Sequence, residues 1–383
     1  MKITFISFHN WDTKRIGGFH KLAEGAVEAG HEVVFFSFSR PYFIYFKREE
    51  RLNKTILKGL THGIQFDLGG RYPLVNCTWP TLKLPQPFYR FIPYKINRWL
   101  ETHSISSFNK FSRKFLDGTD AFIFESCDAI LLWDLLKGHY PNSRFYYRPS
   151  DPLMVDGANH ELAIEEARIM QNADNNFIVN QAGLELYQKK MDGIFKNIKY
   201  TILSNGVDTS KYTLSYVKPS ILYKPNTFLY VGARIIEWPL IIEAAKQRMN
   251  YNFVIVCPEN PPEYFLKSNL KNLTYIPGIS QKDVAAWVTN ADVIIVPNPQ
   301  GWYKIKPWGI TAKYFQAMEA KKPIVAFEDT DELKNYGVHV AHSYGEFISM
   351  LDLAIKEKVI NYNFTPKDWG KISEEFLELI LKS

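Results

Sequence analysis

The sequence predicts an α/β protein of two domains, each built on a doubly wound parallel sheet. Strand-like and helix-like segments alternate through both halves of the chain, as parallel sheets with crossover helices require. The 383 residues also exceed what a single hydrophobic core usually organises. Asn-Gly, proline and polar residues cluster at residues 205–225, where we expect the boundary between the domains.

The first half alternates apolar strands with helices. Strands are predicted at residues 2–8, 32–38, 121–124, 144–147, 176–179 and 200–203, and the first helix at residues 19–29. Residues 94–116 are predicted to be helical. Residues 69–92, which contain several prolines, are predicted to be loop.

The second half repeats this alternation. Strands are predicted at residues 227–231, 253–257, 273–276, 293–296 and 323–327. Helices are predicted at residues 239–248, 281–289, 311–320, 343–357 and 367–381. We expect an N-terminal domain at 1–205, a C-terminal domain at 206–366 and a terminal helix at 367–383.

Composition favours a cytoplasmic protein. Cys77, Cys127 and Cys257 lie far apart without metal-like spacing, which favours reduced thiols. The start of the chain resembles a buried strand rather than a signal peptide. The sequence has no apolar stretch of about 18 residues, the length that a membrane-spanning helix needs.

Basic charge is concentrated between residues 40 and 114. This region holds fourteen Lys or Arg residues against four Asp or Glu residues, while the whole chain has a net charge of +6. Basic charge mixed with aromatic rings suits an anionic membrane surface, so the protein is expected to be cytoplasmic or peripheral on the inner face of the membrane. The alternative is a solvated basic face whose aromatic residues belong to the core. No nucleic-acid-binding module is recognisable, so nucleic acid is not an expected partner. The aromatic residues are Tyr42, Phe43, Tyr45, Phe46, Trp79, Phe88, Tyr89, Phe91, Tyr94 and Trp99.

Three motifs in order resemble glycosyltransferases of the GT-B architecture. Residues 204–208 (SNGVD) follow a predicted strand, residues 230–233 (YVGA) end the next one, and residues 322–326 (KPIVA) come later. The resemblance implies two Rossmann-like domains that face a cleft, with a C-terminal helix crossing back to the first domain. It also implies a nucleotide-sugar donor on the second domain and an acceptor on the first.

A retaining branch of these enzymes carries two glutamates, eight positions apart, before the Lys-Pro strand. The corresponding residues here are Trp308 and Gln316, so the resemblance implies the inverting branch. Residues 311–316 (TAKYFQ) are similar to the xanthan-pathway glucuronosyltransferase family, as are residues 231–237 (VGARIIE) and 147–151 (YRPSD). Lys14-Arg15 with Phe19-His20 resembles the N-terminal loop and first helix of that family.

An inverting transferase needs one base to deprotonate the acceptor hydroxyl. The resemblance implies Asp151, which follows a predicted strand at the sheet edge where open α/β sheets bind ligands. Alternatively, Asp151 caps the turn at Pro152. Asp12, Glu125 and Asp156 are rival candidates for the base.

Donor binding is expected from residues of the second half. Gly232 lacks a side chain that would block a diphosphate, and Arg234 suits a bidentate phosphate contact. Lys313 and Gln316 lie one helical turn apart, on the same face of a predicted helix. We expect Lys313 to contact the diphosphate or a uronate carboxylate, and Gln316 to contact a sugar hydroxyl. Each of these polar residues could instead be an ordinary surface residue. In the loop at residues 297–307, an aromatic ring could stack on uracil and a lysine could contact phosphate. Alternatively, the loop is packed by its own aromatic residues. The candidates are Trp302, Tyr303, Lys304 and Lys306.

No metal is expected to be required, and no cofactor beyond the UDP-sugar substrate. Asp329-Thr330-Asp331 matches the metal-binding Asp-x-Asp of another glycosyltransferase architecture only superficially, and we interpret it as structural. His9 and His20 show no metal-ligand spacing.

The sequence thus predicts an inverting glycosyltransferase. It would move a sugar, glucuronate being one candidate, from a UDP-sugar to a glycan or polyprenyl-linked glycan acceptor in cell-surface polysaccharide synthesis. The alternatives are a nucleotide-sugar epimerase or phosphorylase on the same scaffold, and a non-catalytic nucleotide-sugar-binding protein.

Overall fold

A computed structural model describes the chain except for residues 14–15, 44–61, 90, 156–159, 233–235, 302–309, 329–330, 358–359 and 383. For residues 39, 40, 86 and 89 it describes the backbone alone. The chain divides into two compact units. The first comprises Met1–Ser204 and Gly370–Ser383, and the second comprises Asn205–Trp369.

Strands and helices alternate along the first unit. Its strands are β1 (Lys2–Ser7), β2 (Glu32–Pro41), β3 (Ile64–Phe66), β4 (Leu74–Thr81), β5 (Ala121–Glu125), β6 (Arg144–Arg148), β7 (Asn175–Ile178) and β8 (Tyr200–Ile202). Its helices are α1 (Gly18–Glu28), α2 (Gln86–Tyr89), α3 (Tyr94–Thr102), α4 (Phe108–Phe115), α5 (Trp133–His139), α6 (His160–Asn172) and α7 (Gln181–Lys190).

Within the described residues, the first sheet has the strand order β3-β4-β2-β1-β5-β6-β7-β8. All neighbouring strands in it run parallel except β3, which is antiparallel to β4. Strands β1 and β5 are almost continuously buried, since helices cover both faces of a parallel sheet. Their apolar runs therefore reflect burial on two sides rather than one.

The C-terminal helix, α14 (Trp369–Lys382), packs against the first unit. The ring of Phe376 contacts Phe5 of β1 and Phe177 of β7, at centroid distances of 5.9 and 5.4 Å. Arg144 donates to the carbonyl of Ile380 at 2.8 Å. Gly25 of α1 makes the packing possible, because a Cβ there would lie 2.2 Å from the Ser373 hydroxyl oxygen.

The second unit is wholly parallel. Its strands are β9 (Thr227–Val231), β10 (Asn252–Val256), β11 (Leu273–Ile276), β12 (Val293–Pro297), β13 (Ile324–Phe327) and β14 (His339–Ala341), in the order β11-β10-β9-β12-β13-β14 over the described part of the chain. Its helices are α8 (Thr209–Tyr212), α9 (Trp238–Gln247), α10 (Glu263–Leu266), α11 (Val284–Asn290), α12 (Ala312–Glu319) and α13 (Tyr344–Ala354). The predicted α/β class with two parallel sheets is confirmed.

Two backbone segments of the second unit pair where the chain enters and leaves it. The Val207 N–H donates to the Lys367 carbonyl at 3.0 Å, and the Trp369 N–H donates to the Val207 carbonyl at 3.2 Å. The Asp368 carboxylate accepts from the backbone N–H and the hydroxyl of Thr209. The predicted SNGVD motif therefore lies beside the segment that leads into α14.

Two predictions for the first half were wrong. Residues 69–92 were expected to be loop, but β4 lies within them and pairs with β2 from Val34 to Pro41. Pro80 does not exclude a strand, because it stands near the end of β4. The helix expected over 94–116 is interrupted, since α3 ends at Thr102 and α4 begins at Phe108.

Candidate active site

The strand order of the first sheet reverses between β1 and β5. Strand β2 lies on one side of β1 and β5 on the other, so the loops that follow β1 and β5 diverge at this point. Open α/β sheets bind ligands at such a switch point, beyond the carboxyl ends of the strands. Ser7 ends β1 and Glu125 ends β5, which places both residues at this position.

Glu125 links the ends of β1 and β5 to the segment that follows β6. Its carboxylate accepts hydrogen bonds from the Ser7 hydroxyl and, at 2.7 Å, from the Ser150 hydroxyl. Burial raises the pKa of Glu125, whereas these two hydrogen bonds and the charge of Arg148 act in the opposite direction. Arg148 is itself fully buried, and desolvation lowers its pKa to about 10. The Glu125 oxygens are thus engaged inside the protein.

Asp151 is exposed, and it lies on a turn three residues after β6. Its backbone N–H donates to the Ser126 hydroxyl at 3.1 Å, so the turn is attached to the end of β5. Of the rival candidates, Asp12 is also exposed, Glu125 is buried, and Asp156 lies outside the described residues. Exposure is what a base needs if it is to reach an acceptor hydroxyl.

A second buried carboxylate, Glu166 of α6, was not singled out from the sequence. It accepts from the hydroxyls of Tyr147 and Tyr187, at 2.6 and 2.7 Å. It also accepts from the backbone N–H groups of Leu153 and Met154, both at 2.8 Å. Burial raises the pKa of Glu166 to about 6, against the effect of these four hydrogen bonds. A glutamate on the buried side of an amphipathic helix was the available sequence signal.

The strand order of the second sheet reverses between β9 and β12. Gly232 directly follows β9 at this switch point. The Gly232 N–H donates to the carbonyl of Val256 at 3.1 Å, so this group is used within the sheet. A Cβ at Gly232 would lie 2.3 Å from the Tyr230 hydroxyl oxygen and 3.0 Å from Cε of Lys313. The observed reason for glycine is therefore the packing of these two side chains.

Lys313 and Gln316 lie on α12, and the Lys313 side chain approaches Gly232, the residue that follows β9. The Lys313 ammonium donates to the Tyr230 hydroxyl at 3.4 Å and lies 5.0 Å from the centre of its ring. Desolvation lowers the pKa of Lys313 to about 8, although the charges of Glu328 and Cys257 act against this shift. Gln316 is half-buried one turn further along the helix. The structure thus brings Gly232 and Lys313 together.

Glu328 connects the surroundings of Lys313, and it too was not singled out from the sequence. This buried residue directly follows β13. Its carboxylate accepts from the Tyr314 hydroxyl at 2.6 Å and from the Asn298 amide at 2.5 Å. It therefore joins α12 to the loop that follows β12. Its position after a buried strand was the available signal.

Four of the predicted donor-binding residues lie outside the described residues. They are Arg234, Tyr303, Lys304 and Lys306, and Trp302 lies outside as well. The described parts of the chain show where these segments begin. Residues 233–235 follow Gly232, and residues 302–309 lie between Gly301 and α12.

The remaining candidate residues have structural partners. His20 is buried, its Nε2 pairs with the Asn10 carbonyl, and burial lowers its pKa. The His9 ring lies tilted against the Phe8 ring, with ring centres 3.8 Å apart. Asp331 pairs with His342 at 2.6 Å, while Asp329 and Thr330 lie outside the described residues. No group of three or more His, Cys, Asp or Glu side chains that could hold a metal ion is found in the part of the chain that the structure describes.

Comparison with known protein families gives a match to most of the first unit. Residues 5–179 match the family model described as glucuronosyltransferase GumK, N-terminal domain. The predicted resemblance to the xanthan-pathway glucuronosyltransferases is confirmed over these residues. No curated protein matches the chain by sequence.

Solved structures match the whole length of the chain. HepE of Anabaena, in complex with UDP and glucose, has a TM-score of 0.65 and 13% identity, with 100% of each chain covered. The E. coli trehalose-6-phosphate protein bound with UDP-2-fluoro glucose has a TM-score of 0.60 and 11% identity, covering 100% of this chain and 96% of that one. An S. aureus TarM variant, in complex with fondaparinux, alpha-GlcNAc-glycerol and UDP, has a TM-score of 0.55 and 12% identity, covering 100% and 98%. These matches show the GT-B fold.

The contact between Gly232, Tyr230 and Lys313 predicts the effect of a methyl group. Gly232→Ala should destabilise the second unit by about 1–3 kcal/mol, because the new Cβ overlaps the buried Tyr230 side chain. Gly345→Ala is the matched control, since a Cβ at Gly345 of α13 meets no atom within 4 Å. Alanine there should be neutral or slightly stabilising. Urea unfolding of both variants measures the difference, and equal stabilities would contradict the packing described.

Proposed function

We propose that this protein is an inverting glycosyltransferase that transfers a sugar from a UDP-sugar to a glycan or lipid-linked glycan. The match of residues 5–179 to the N-terminal domain of a glucuronosyltransferase carries the proposal. The GT-B fold over the full chain supports it. The complexes of HepE, of the E. coli protein and of TarM with UDP or a UDP-sugar support the choice of nucleotide.

In the proposed reaction, Asp151 acts as the base. Its carboxylate takes the proton of an acceptor hydroxyl, whose oxygen attacks the anomeric carbon of the donor sugar from the side opposite the diphosphate. The new C–O bond forms as the bond to the diphosphate oxygen breaks, so UDP leaves with the bonding electron pair and the configuration inverts. The exposed position of Asp151 at the carboxyl end of β6 supports this role.

Lys313 is proposed to hold the negative charge of the donor. Its ammonium is desolvated, and its side chain lies beside Gly232, the residue that follows β9. A cation in a poorly solvated site stabilises the charge that develops on the leaving diphosphate more strongly than one in water does. A uronate carboxylate is the other group that this lysine suits, and it makes glucuronate our candidate sugar. Arg234, Tyr303, Lys304, Lys306 and Gln316 remain predicted donor contacts.

Asp151→Asn should lower sugar transfer by at least about 100-fold, because an amide cannot accept the acceptor proton. Binding of UDP, measured as thermal stabilisation, should remain. Asp192→Asn is the matched control, since it makes the same change at an exposed carboxylate of the first unit that is not a candidate base. The assay uses radiolabelled UDP-glucuronate and UDP-glucose with membrane lipid extract as the acceptor source.

Three results would contradict this proposal. Wild-type transfer by Asp151→Asn would remove Asp151 as the base. Conversion of the donor without any acceptor would indicate an epimerase or a phosphorylase. Tight UDP binding without turnover on a panel of UDP-, GDP- and TDP-sugars would indicate a binding protein.

The lowered pKa of Lys313 predicts a pH-dependent affinity for UDP. The free protein loses the Lys313 proton as the pH rises through about 8, so affinity for the anionic ligand should fall above that pH. The fall should approach about tenfold per pH unit if one proton is linked to binding. Lys313→Gln should bind weakly at pH 7 without this dependence, whereas Lys313→Arg should keep its affinity to pH 9 because arginine stays charged. Calorimetric titration from pH 7 to 9.5 measures this, and a flat wild-type profile would rule it out.

We also propose that a surface around α3 binds anionic membranes. Large apolar side chains are exposed there, with Phe91 83% and Ile105 79% accessible. The other members of this membrane surface are Phe88, Tyr94, Ile96 and Trp99. Trp79 is buried by contrast, and Tyr45 and Phe46 lie outside the described residues, so only part of the predicted aromatic set belongs to the core.

Ion pairs connect the membrane surface to the rest of the first unit, and basic side chains accompany it. Lys83 pairs with Glu101 of α3 at 3.2 Å and with Asp128 at 2.5 Å, and Arg98 of α3 pairs with Glu165 of α6. Exposed lysine and arginine side chains accompany the apolar ones and suit anionic lipid headgroups; they are Lys95, Lys110, Arg113 and Lys114. Within the described residues, no helix combines the length and the apolar character needed to cross a bilayer.

Phe91→Ser with Trp99→Ser should weaken binding to vesicles of phosphatidylglycerol by at least about tenfold, since each ring buries apolar area worth about 1.5–3 kcal/mol. Ile194→Ser with Tyr200→Ser is the control, because it removes two exposed apolar side chains near β8, at the other edge of the first sheet. Wild-type binding should also weaken as salt is added. Co-sedimentation measures both effects. Wild-type protein that fails to bind at low salt would contradict the membrane proposal.

A further inference from the structure

The turn that carries Asp151, residues 150–154, is held by two buried carboxylates. The turn itself has no helix or strand hydrogen bonds, and Asp151 is exposed on it. Glu125 contacts the start of the turn and Glu166 contacts its end. The position of the Asp151 backbone therefore depends on side chains from other elements.

Glu125 and its neighbours fix the first half of the turn. The Ser150 hydroxyl donates to Glu125 at 2.7 Å, and the Asp151 N–H donates to the Ser126 hydroxyl at 3.1 Å. The second Glu125 oxygen accepts from Ser7, whose hydroxyl oxygen also accepts from the His9 N–H at 3.0 Å. The start of the turn is thus attached to the ends of both β1 and β5.

Glu166 fixes the second half. One of its oxygens accepts from the N–H groups of Leu153 and Met154, each at 2.8 Å. The other oxygen accepts from the hydroxyls of Tyr147 on β6 and Tyr187 on α7. The tyrosines orient the carboxylate, which leaves its remaining oxygen directed at the turn. Each oxygen of the Glu166 carboxylate therefore accepts two hydrogen bonds, which uses the acceptor capacity of the group.

Burying two carboxylates in a hydrophobic core costs folding free energy. A buried carboxylate loses its hydration, and burial raises the pKa of both Glu125 and Glu166. Apolar side chains of similar volume often fill such positions at no loss of stability. Each carboxylate has one oxygen that accepts from residues 150–154, which indicates that the two carboxylates fix the geometry of this turn.

We propose that Glu166 and Glu125 are positioning residues that hold Asp151 in the geometry required for proton transfer. The inference rests on the proposed role of Asp151 as the base. A base is effective only when its oxygen lies within hydrogen-bonding distance of the acceptor hydroxyl, and displacement of about 1 Å lowers the rate by as much as about 100-fold. Neither carboxylate is proposed to touch the substrate.

The principal variant is Glu166→Leu, which leaves the N–H groups of Leu153 and Met154 without their acceptor. We expect kcat to fall at least about tenfold, with KM for donor and acceptor within about twofold of wild type. Glu166→Gln should retain most activity, since its amide oxygen can accept from the turn while its NH2 donates to the tyrosine oxygens. The matched control is Tyr187→Phe, which removes one hydroxyl from the same buried cluster but leaves Glu166 its hydrogen bonds with Tyr147 and with the turn.

A double-mutant cycle distinguishes this inference from the proposed base. If Glu166 acts through Asp151, Glu166→Leu with Asp151→Asn should be no slower than Asp151→Asn alone. Additive losses would overturn the inference. Normal kcat in folded Glu166→Leu, together with inactive Asp151→Asn, would also overturn it and leave the base role standing. Wild-type kcat in Asp151→Asn would remove the base role itself.

Two further measurements apply if Glu166→Leu fails to fold or if no donor supports turnover. Ser150→Ala removes the hydroxyl that donates to Glu125 and should lower kcat in the same way. Hydrogen–deuterium exchange needs no substrate, and exchange at residues 150–154 should be at least about tenfold faster in Ser150→Ala or Glu166→Leu than in the tyrosine control. Unchanged exchange in folded variants would overturn the inference.

Discussion

Parallel hydrogen bonding imposes the constraint on which both units depend. Parallel strands all end at the same edge of their sheet, and each must return through a crossover that covers a face. Residues far apart in the chain, such as Ser7 and Glu125, therefore meet at one edge of the first sheet. In the second unit, Gly232 follows β9 and Glu328 follows β13 at the corresponding edge. The candidate site residues are those that come directly after buried strands.

Buried polar groups then give these edges a defined geometry. Glu125, Glu166 and Glu328 each join at least two elements through their carboxylate oxygens, and each does so where water is excluded. A carboxylate in such a place binds its hydrogen-bond donors more strongly than it would in water, but it is costly when a donor is removed. The exclusion of water causes both the strength of these hydrogen bonds and the loss of stability when a donor is removed. Lys313 shows the converse effect, since the desolvation that lowers its pKa also strengthens its attraction to an anion.

Much of the fold could be predicted because burial on both faces leaves a direct signal. The apolar runs of β1, β5, β9 and β10 contain few polar residues, and they were recognised without knowledge of their neighbours. Strand β4 was missed because Asn76 and Pro80 argue against a strand locally. In the structure, Asn76 donates to the Phe35 carbonyl at 2.7 Å and to the Ser37 hydroxyl at 2.9 Å, so β2 stabilises what the local sequence disfavours.

The sequence by itself determined the two parallel sheets, the motifs at their edges and the choice of Asp151, Gly232 and Lys313 as candidates. These follow from hydrophobic period and from short motifs, which are local properties. Only the tertiary structure decided that Glu166 contacts the Asp151 turn, that Tyr230 occupies the space beside Gly232 and that Phe376 of α14 packs against Phe5 of β1. Each of these contacts joins residues that are distant in sequence or opposed across a turn. Their geometry depends on how whole elements pack, which no local pattern encodes.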